Sequence, residues 1–190
     1  EFIYSDLKHF SILEDETFFD NAILIDSTSK RYSLCGARIG FIVSKNSKFI
    51  ETCMKFALAR LSPPTVALIA ANNALKSDNK YIDKVIKEYS MRRKVLIGEL
   101  SKINNIEFSD PMGAFYSIIK LPVKNAEEFA KFLLTDFSIN NESVMLAPAA
   151  GFYSSTDNGK DEVRIAFVLN SEKIKRAINI INIGLKEYIG

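Results

Sequence analysis

Between Ala22 and Gly40 the chain passes from a short apolar run, Ala22 to Asp26 (AILID), through a string of hydroxyls and cations, and into a second apolar run, Ala37 to Ser44 (ARIGFIVS). No other passage limits the fold as much. A brief run rich in β-branched residues, bounded by Asp20 and Asn21 before and by Ser27, Thr28 and Ser29 after, reads as a buried strand that ends in a polar loop. The second run comes too soon to admit a crossover helix, so the two strands are expected to be antiparallel neighbours.

Beyond this pair the pattern turns helical. Ser62, Pro63 and Pro64 mark a helix start, and Thr65 to Leu75 is alanine-rich. Asn79 to Ile103 places Ile82, Val85, Ile86, Tyr89, Leu96, Leu100 and Ile103 on one face. A helix of that length spans about 40 Å, enough to connect two domains. Its charged residues, among them Asp83, Lys84, Lys87 and Glu88, form a solvated face. Strands are then expected at Ile106 to Phe108, Ala114 to Lys120, Val144 to Ala147 and Glu162 to Val168, and an opening one at Phe2 to Tyr4. Helices are expected at Ala126 to Phe137, with Asn125 as cap and Glu128 at capping-box spacing, and at Glu172 to Tyr188 behind Ser171. The organisation expected is a β-rich part over residues 1–60, a helical connector over 61–104 and a small α+β domain over 105–190.

Composition removes several classes. The 190 residues are 47% hydrophobic, and 25 Lys plus Arg against 23 Asp plus Glu leave a charge of +2. Such a chain buries enough surface to fold, which excludes a disordered tail or a collagen-like repeat. Without a block of like-signed basic residues it offers no footprint for nucleic acid. No apolar stretch approaches the roughly 18 residues of a membrane span and no signal peptide opens the chain, so a soluble cytoplasmic protein is expected. Two cysteines, Cys35 and Cys53, and one histidine, His9, supply neither a disulfide framework nor a metal-ligand set, and no metal is expected.

The polar string Ser27-Thr28-Ser29-Lys30-Arg31-Tyr32-Ser33-Leu34-Cys35-Gly36-Ala37-Arg38-Ile39-Gly40 carries the chemistry. A lysine among cations and apolar walls serves as a nucleophile for Schiff-base chemistry with an aldehyde. A guanidinium and a hydroxyl aimed at one point suit a dianionic phosphate. Aldehyde and phosphate together describe pyridoxal phosphate. Far along the chain, Val163-Arg164-Ile165-Ala166-Phe167 sets an arginine in an apolar strand, where a buried guanidinium without an anion costs several kcal/mol. It therefore needs a partner, either a neighbouring carboxylate, Asp161 or Glu162, or an external one.

The string from Ser27 to Gly40 resembles the lysine signature of class I/II aminotransferases of the fold type I pyridoxal phosphate enzymes, with Ser27, Ser29, Lys30, Leu34, Gly36, Arg38, Ile39 and Gly40 at the constrained positions. The resemblance implies an α/β fold: the C-terminal part of the large cofactor-binding domain, a long interdomain helix and a small α+β domain. It implies that Lys30 bonds pyridoxal 5'-phosphate and moves the proton at the substrate α-carbon. Ser27 and Arg38 would hold the phosphate, with Ser29 beside them, and Gly36 and Gly40 would let the backbone pass close. Arg164 matches the arginine that binds a substrate α-carboxylate. Pro111 to Tyr116 resembles the family's G-A-F-Y segment. Ala147 to Tyr153 resembles its P-G-x-x-F loop, with Ala149 at the usual first glycine. These two segments make Phe115 and Phe152 substrate-side candidates, although aromatic residues in strands are most often core.

The same resemblance implies an amino acid and a 2-oxo acid as substrates, an aspartate aminotransferase-like reaction, a cytoplasmic homodimer, and about twice this length. Phe2-Ile3-Tyr4 and the turn after it resemble the strand extension and turn that come after the family's D-E-x-Y motif. The ring-nitrogen aspartate is therefore expected before Glu1, the less favoured alternative being Glu1 and Tyr4 as that motif's own residues. The 190 residues alone are expected to bind the cofactor poorly and not to transaminate. Competing expectations are a carbon-sulfur lyase or synthase of the same fold and a non-catalytic or regulatory aminotransferase-like domain.

Overall fold

The two apolar runs flanking the polar string pair as antiparallel strands, β1 (Leu24–Ser27) and β2 (Gly40–Val43), with Leu24 opposite Val43 and Ser27 opposite Gly40. Their connection is a single helical turn, α1 (Thr28–Arg31), and a 3-10 turn at Cys35–Ala37. The second strand starts three residues later than the sequence implies, because Arg38 takes a left-handed φ of 58° and turns the chain first. Nor is β1 buried as its composition suggests. With one neighbouring strand and a bare face, it leaves Ile25 79% exposed.

This computed structural model describes every residue except Ser5 and Thr156. It divides into one unit of Glu1 and Leu7–Lys84 and a second of Phe2–Asp6 and Val85–Gly190. In the first unit, α2 (Ser47–Arg60) comes after β2, and the side chain of Asn46 caps it by accepting the Phe49 N–H at 3.0 Å. No helix is among those expected there, although Ile50, Cys53, Met54, Ala57 and Leu58 keep helical spacing behind Asn46. None of the helix's residues is buried, so that apolar face stays uncovered. The Pro64-led helix forms as expected, α3 (Thr65–Lys76), burying Ala71. The next, α4 (Lys80–Leu100), starts in the first unit and ends three residues short of Ile103.

The second unit holds the main core. β3 (Glu107–Phe108), β4 (Tyr116–Lys120), β5 (Ala147–Pro148) and β6 (Glu162–Ala166) make an antiparallel sheet in the order β3-β4-β6-β5. One face packs Phe115, Ile119, Val163 and Phe167 against Phe129 and Leu133 of α5 (Ala126–Thr135) and Ile174, Ile178 and Ile181 of α6 (Ser171–Ile189). Each such fully buried side chain contributes about 1.5–3 kcal/mol of transfer free energy. Leu96 and Leu100 of α4 belong to the same core. Asn125 caps α5 as expected, accepting the N–H groups of Glu127 and Glu128 at 2.9 and 3.3 Å. For α6 the cap is Asn170 rather than Ser171, with Lys173 N–H donating at 2.9 Å.

Strand ends are shorter than the sequence implies. Of the strand expected over Val144 to Ala147 only Ala147 is in β5, which runs one residue further to Pro148, where the missing N–H leaves no donor to extend the ladder. The Phe2–Tyr4 strand reduces to one antiparallel bridge, Ile3 to Gly113. There the backbones are so close that a Cβ on Gly113 would sit 2.9 Å from the Phe2 carbonyl oxygen.

Candidate active site

Strand β1 delivers the chain to Ser27, whose extended backbone turns into α1 and whose Oγ accepts the Ser29 N–H at 3.3 Å. Thr28 is buried, and both its N–H and its hydroxyl donate to the Ile39 carbonyl, at 3.2 and 3.3 Å. These two bonds hold the Lys30 turn beside the residue next to Arg38. Nothing in the Ser-Lys pattern distinguishes Thr28 as the clamp, because its partner is a backbone carbonyl eleven residues away.

The two adjacent cations separate in role. Arg31 lies against carboxylates, with Nη2 3.0 Å from Asp26 Oδ2 and Nε 2.9 Å from Glu1 Oε1, the latter without hydrogen-bond geometry. Successive helical residues point about 100° apart, so Lys30 does not share those acids. Among the described residues, no hydrogen bond or ion pair engages its amine. Arg38 is exposed and spends one Nη1 donor on the Cys35 carbonyl at 2.9 Å, leaving the rest of its fork available. A non-glycine residue at left-handed φ costs about 1–2 kcal/mol, and such strain collects at binding sites. Gly40 is needed for the close approach, since a Cβ there would lie 3.0 Å from the Asp26 carbonyl oxygen. Gly36 is not, because a Cβ would meet no atom within 4 Å.

An uncommitted primary amine, the hydroxyls of Ser27 and Ser29, and a part-free guanidinium on two linked turns, with the nearby acid Asp26 tied to Arg31, fit an aldehyde bearing a phosphate dianion.

In the second unit, Arg164 sits on the sheet face opposite the main core, across from Ile118 on β4 and Ala147 on β5. Its guanidinium carbon lies 4.6 Å from the ring centroid of Tyr116 and 4.6 Å from that of Phe152. Rings on a guanidinium attract it through their π-faces. They leave its in-plane N–H edge for a planar acceptor. Among the described residues, neither Asp161 nor Glu162 forms an ion pair with it. Phe152 arrives on the 3-10 turn Ala150–Phe152 that comes after β5. Phe115, by contrast, is buried, its ring 5.4 Å from Tyr89 and 6.0 Å from Phe2. Its neighbour Tyr116 is the one that faces Arg164, as the alternation of a strand requires.

The comparisons with known proteins point one way. A Pyrococcus horikoshii aspartate aminotransferase is 30% identical over 97% of this chain and 46% of its own length. A Methanocaldococcus jannaschii (5-formylfuran-3-yl)methyl phosphate transaminase is 32% identical over 92% of the chain and 45% of its own. The crystal structure of an aromatic aminotransferase from Pyrococcus horikoshii superposes with a TM-score of 0.85 at 28% identity, covering 99% of this chain and 49% of that one. The chain thus spans about half the length of the relatives it matches. Residues 1–181 match the family described as aminotransferase class I and II, and the chain belongs to that family.

Proposed function

We propose that these residues form part of a pyridoxal phosphate-dependent aminotransferase that moves an α-amino group from an amino acid to a 2-oxo acid. The observation that carries the reading is the uncommitted Lys30 amine, on the turn that begins at Ser27 and is linked to the Arg38 turn through Thr28 and Ile39, while its neighbour Arg31 is held by Asp26 and Glu1. When bound, the cofactor supplies an aldehyde that takes up the amino group and a conjugated ring that withdraws electrons from the substrate α-carbon. Ser27 and Arg38, with Ser29, would hold its phosphate through charge-assisted hydrogen bonds. Lys30 Nζ would hold the cofactor in the resting protein. During turnover Lys30 Nζ would accept the proton from the substrate α-carbon as general base and, as general acid, deliver it to C4′ of the cofactor, which is the net shift that amino transfer requires.

Arg164 takes the substrate carboxylate with the in-plane N–H edge that Tyr116 and Phe152 leave open. Phe115 supports Tyr116 from the core, with ring centroids 4.6 Å apart. The reading includes a cytoplasmic homodimer. The dimer is supported by the apolar side chains that the first unit leaves uncovered, such as Phe56 and Leu61. Among the described residues no helix is long and apolar enough to cross a membrane.

The test is transfer of ¹⁵N from aspartate to 2-oxoglutarate, in a polypeptide of the relatives' length that contains this chain, with the cofactor added. Labelled glutamate that disappears in Lys30→Ala supports the proposal, and the 190 residues alone are expected to give no turnover. Pyruvate and ammonia from cystathionine, with no labelled glutamate, would instead assign a lyase.

A further inference from the structure

Glu162 stands two residues before Arg164 on β6, on the same face of the sheet. Backbones at such positions are about 6.8 Å apart, within joint reach of a glutamate and an arginine side chain, so an internal salt bridge is the simplest way to satisfy Arg164. It does not form. Glu162 Oε2 instead accepts a hydrogen bond from the Tyr153 hydroxyl at 2.5 Å, while the guanidinium stays between the rings of Tyr116 and Phe152.

Tyr153 is itself fixed in place. Its ring packs directly on Gly159, which has a left-handed φ of 71°, and a Cβ there would fall 2.5 Å from Tyr153 Cε2. The loop is tied to the same strand residue by its backbone, since Ala149 N–H donates to the Glu162 carbonyl at 2.9 Å. The bond to Glu162 raises the Tyr153 phenol above its ordinary range, and a phenol is protonated and able to donate at neutral pH with or without that shift. The aminotransferase chemistry proposed for Lys30 and Arg164 makes no use of Tyr153, Gly159 or Glu162.

We propose that Tyr153 is a positioning residue: its hydroxyl restrains the Glu162 carboxylate and thereby keeps Arg164 open to the carboxylate of a small-molecule substrate. This rests on the reading of Arg164 as a carboxylate receptor. Without the hydroxyl, Glu162 is free to turn along β6 to the guanidinium and compete, as an internal carboxylate, with the external one. Two same-face charges that would neutralise each other are kept apart by a third group, and the receptor is left unsatisfied until ligand arrives.

The experiment tracks the Arg164 Nε–Hε resonance of the ¹⁵N-labelled 190-residue chain, assigned by its loss in Arg164→Lys. It compares the unsubstituted chain with Tyr153→Phe, Glu162→Gln and the double variant. Without ligand, the resonance is expected to move in Tyr153→Phe and to return in the double variant. On titration with pyruvate, the apparent Kd is expected to rise about threefold in Tyr153→Phe, the scale of a half-exposed ion pair. It should return to the starting value in the double variant, with Glu162→Gln alone causing no weakening. An unmoved resonance in Tyr153→Phe overturns the proposal. So does a change that persists in the double variant, which would mean a loosened loop rather than a released carboxylate. Pyruvate that leaves the unsubstituted resonance unmoved overturns the carboxylate reading of Arg164, and with it the purpose assigned to Tyr153. The ligand-free comparison still scores the restraint on Glu162 separately.

Discussion

Lys30 and Arg31 are adjacent cations on one helical turn, and what separates them is which acids each can reach. Asp26 and Glu1 flank Arg31, and the lysine is left with no charge partner among the described residues. The order Ser-Thr-Ser-Lys-Arg is legible in the sequence, but this division of labour is not, because it depends on where β1 places Asp26. Arg38 supplies a test that separates binding from stability. Its left-handed φ of 58° means that Arg38→Gly relieves about 1 kcal/mol of backbone strain while deleting a cation. The expected result is a Tm that does not fall, with weaker retention of pyridoxal phosphate in equilibrium dialysis. A lowered Tm would show that the guanidinium's bond to the Cys35 carbonyl outweighs the strain. Arg164 was legible as a guanidinium in need of an anion. Its aromatic flanks were only half legible, since Phe152 stood out from its loop motif whereas the choice of Tyr116 over Phe115 waits on which face of β4 turns toward the core.

Among elements, helices with a polar cap and an apolar stripe that finds the core were read directly, and a capped helix whose apolar side chains stay uncovered was not. Asn125 illustrates the first kind, and Asn125→Ala is expected to cost about 1 kcal/mol by stranding the Glu127 and Glu128 N–H groups, measured by urea denaturation. The uncovered α2 illustrates the second. The seam between Phe2–Tyr4 and Gly113–Ala114 shows what a single bridge can hold. Tyr4 N–H donates to the Met112 carbonyl at 3.0 Å, and the Tyr4 hydroxyl donates to the Ala114 carbonyl. Burial, helped by the neighbouring Tyr89, pushes the Tyr4 phenol up to about 12 from 10.0. Its folded pKa therefore lies above the unfolded one. Between those values the unfolded chain loses the proton first, so this contribution to stability is complete below pH 10 and lost as pH rises toward 12. Thermal melts across that window should fall more steeply for the unsubstituted chain than for Tyr4→Phe, and parallel curves would contradict this. Gly113→Ala, with its Cβ forced to 2.9 Å from the Phe2 oxygen, is expected to open the same seam.

At the scale of the whole molecule the two units differ in how well they cover themselves. The second buries a continuous core from Phe2 to Leu185, whereas the first leaves Ile25, Phe56, Leu61 and Val66 more than two-thirds exposed. Apolar surface of that extent favours association. Sedimentation velocity is expected to show concentration-dependent self-association, reduced in Ile25→Lys/Phe56→Lys, and a monomer at all concentrations would contradict it. Hydrophobic content alone did not reveal this, because composition counts apolar residues without saying which of them find a neighbour. The central claim is that Lys30 is the lysine that takes the cofactor aldehyde. Its most direct test is to add pyridoxal phosphate at less than one equivalent, reduce with borohydride, and map the modified residues by mass spectrometry. The account predicts an adduct on Lys30 in preference to the other lysines, diminished in Arg38→Ala and absent from that peptide in Lys30→Ala. Label spread over the surface lysines, with Lys30 modified no more than the rest, would contradict it.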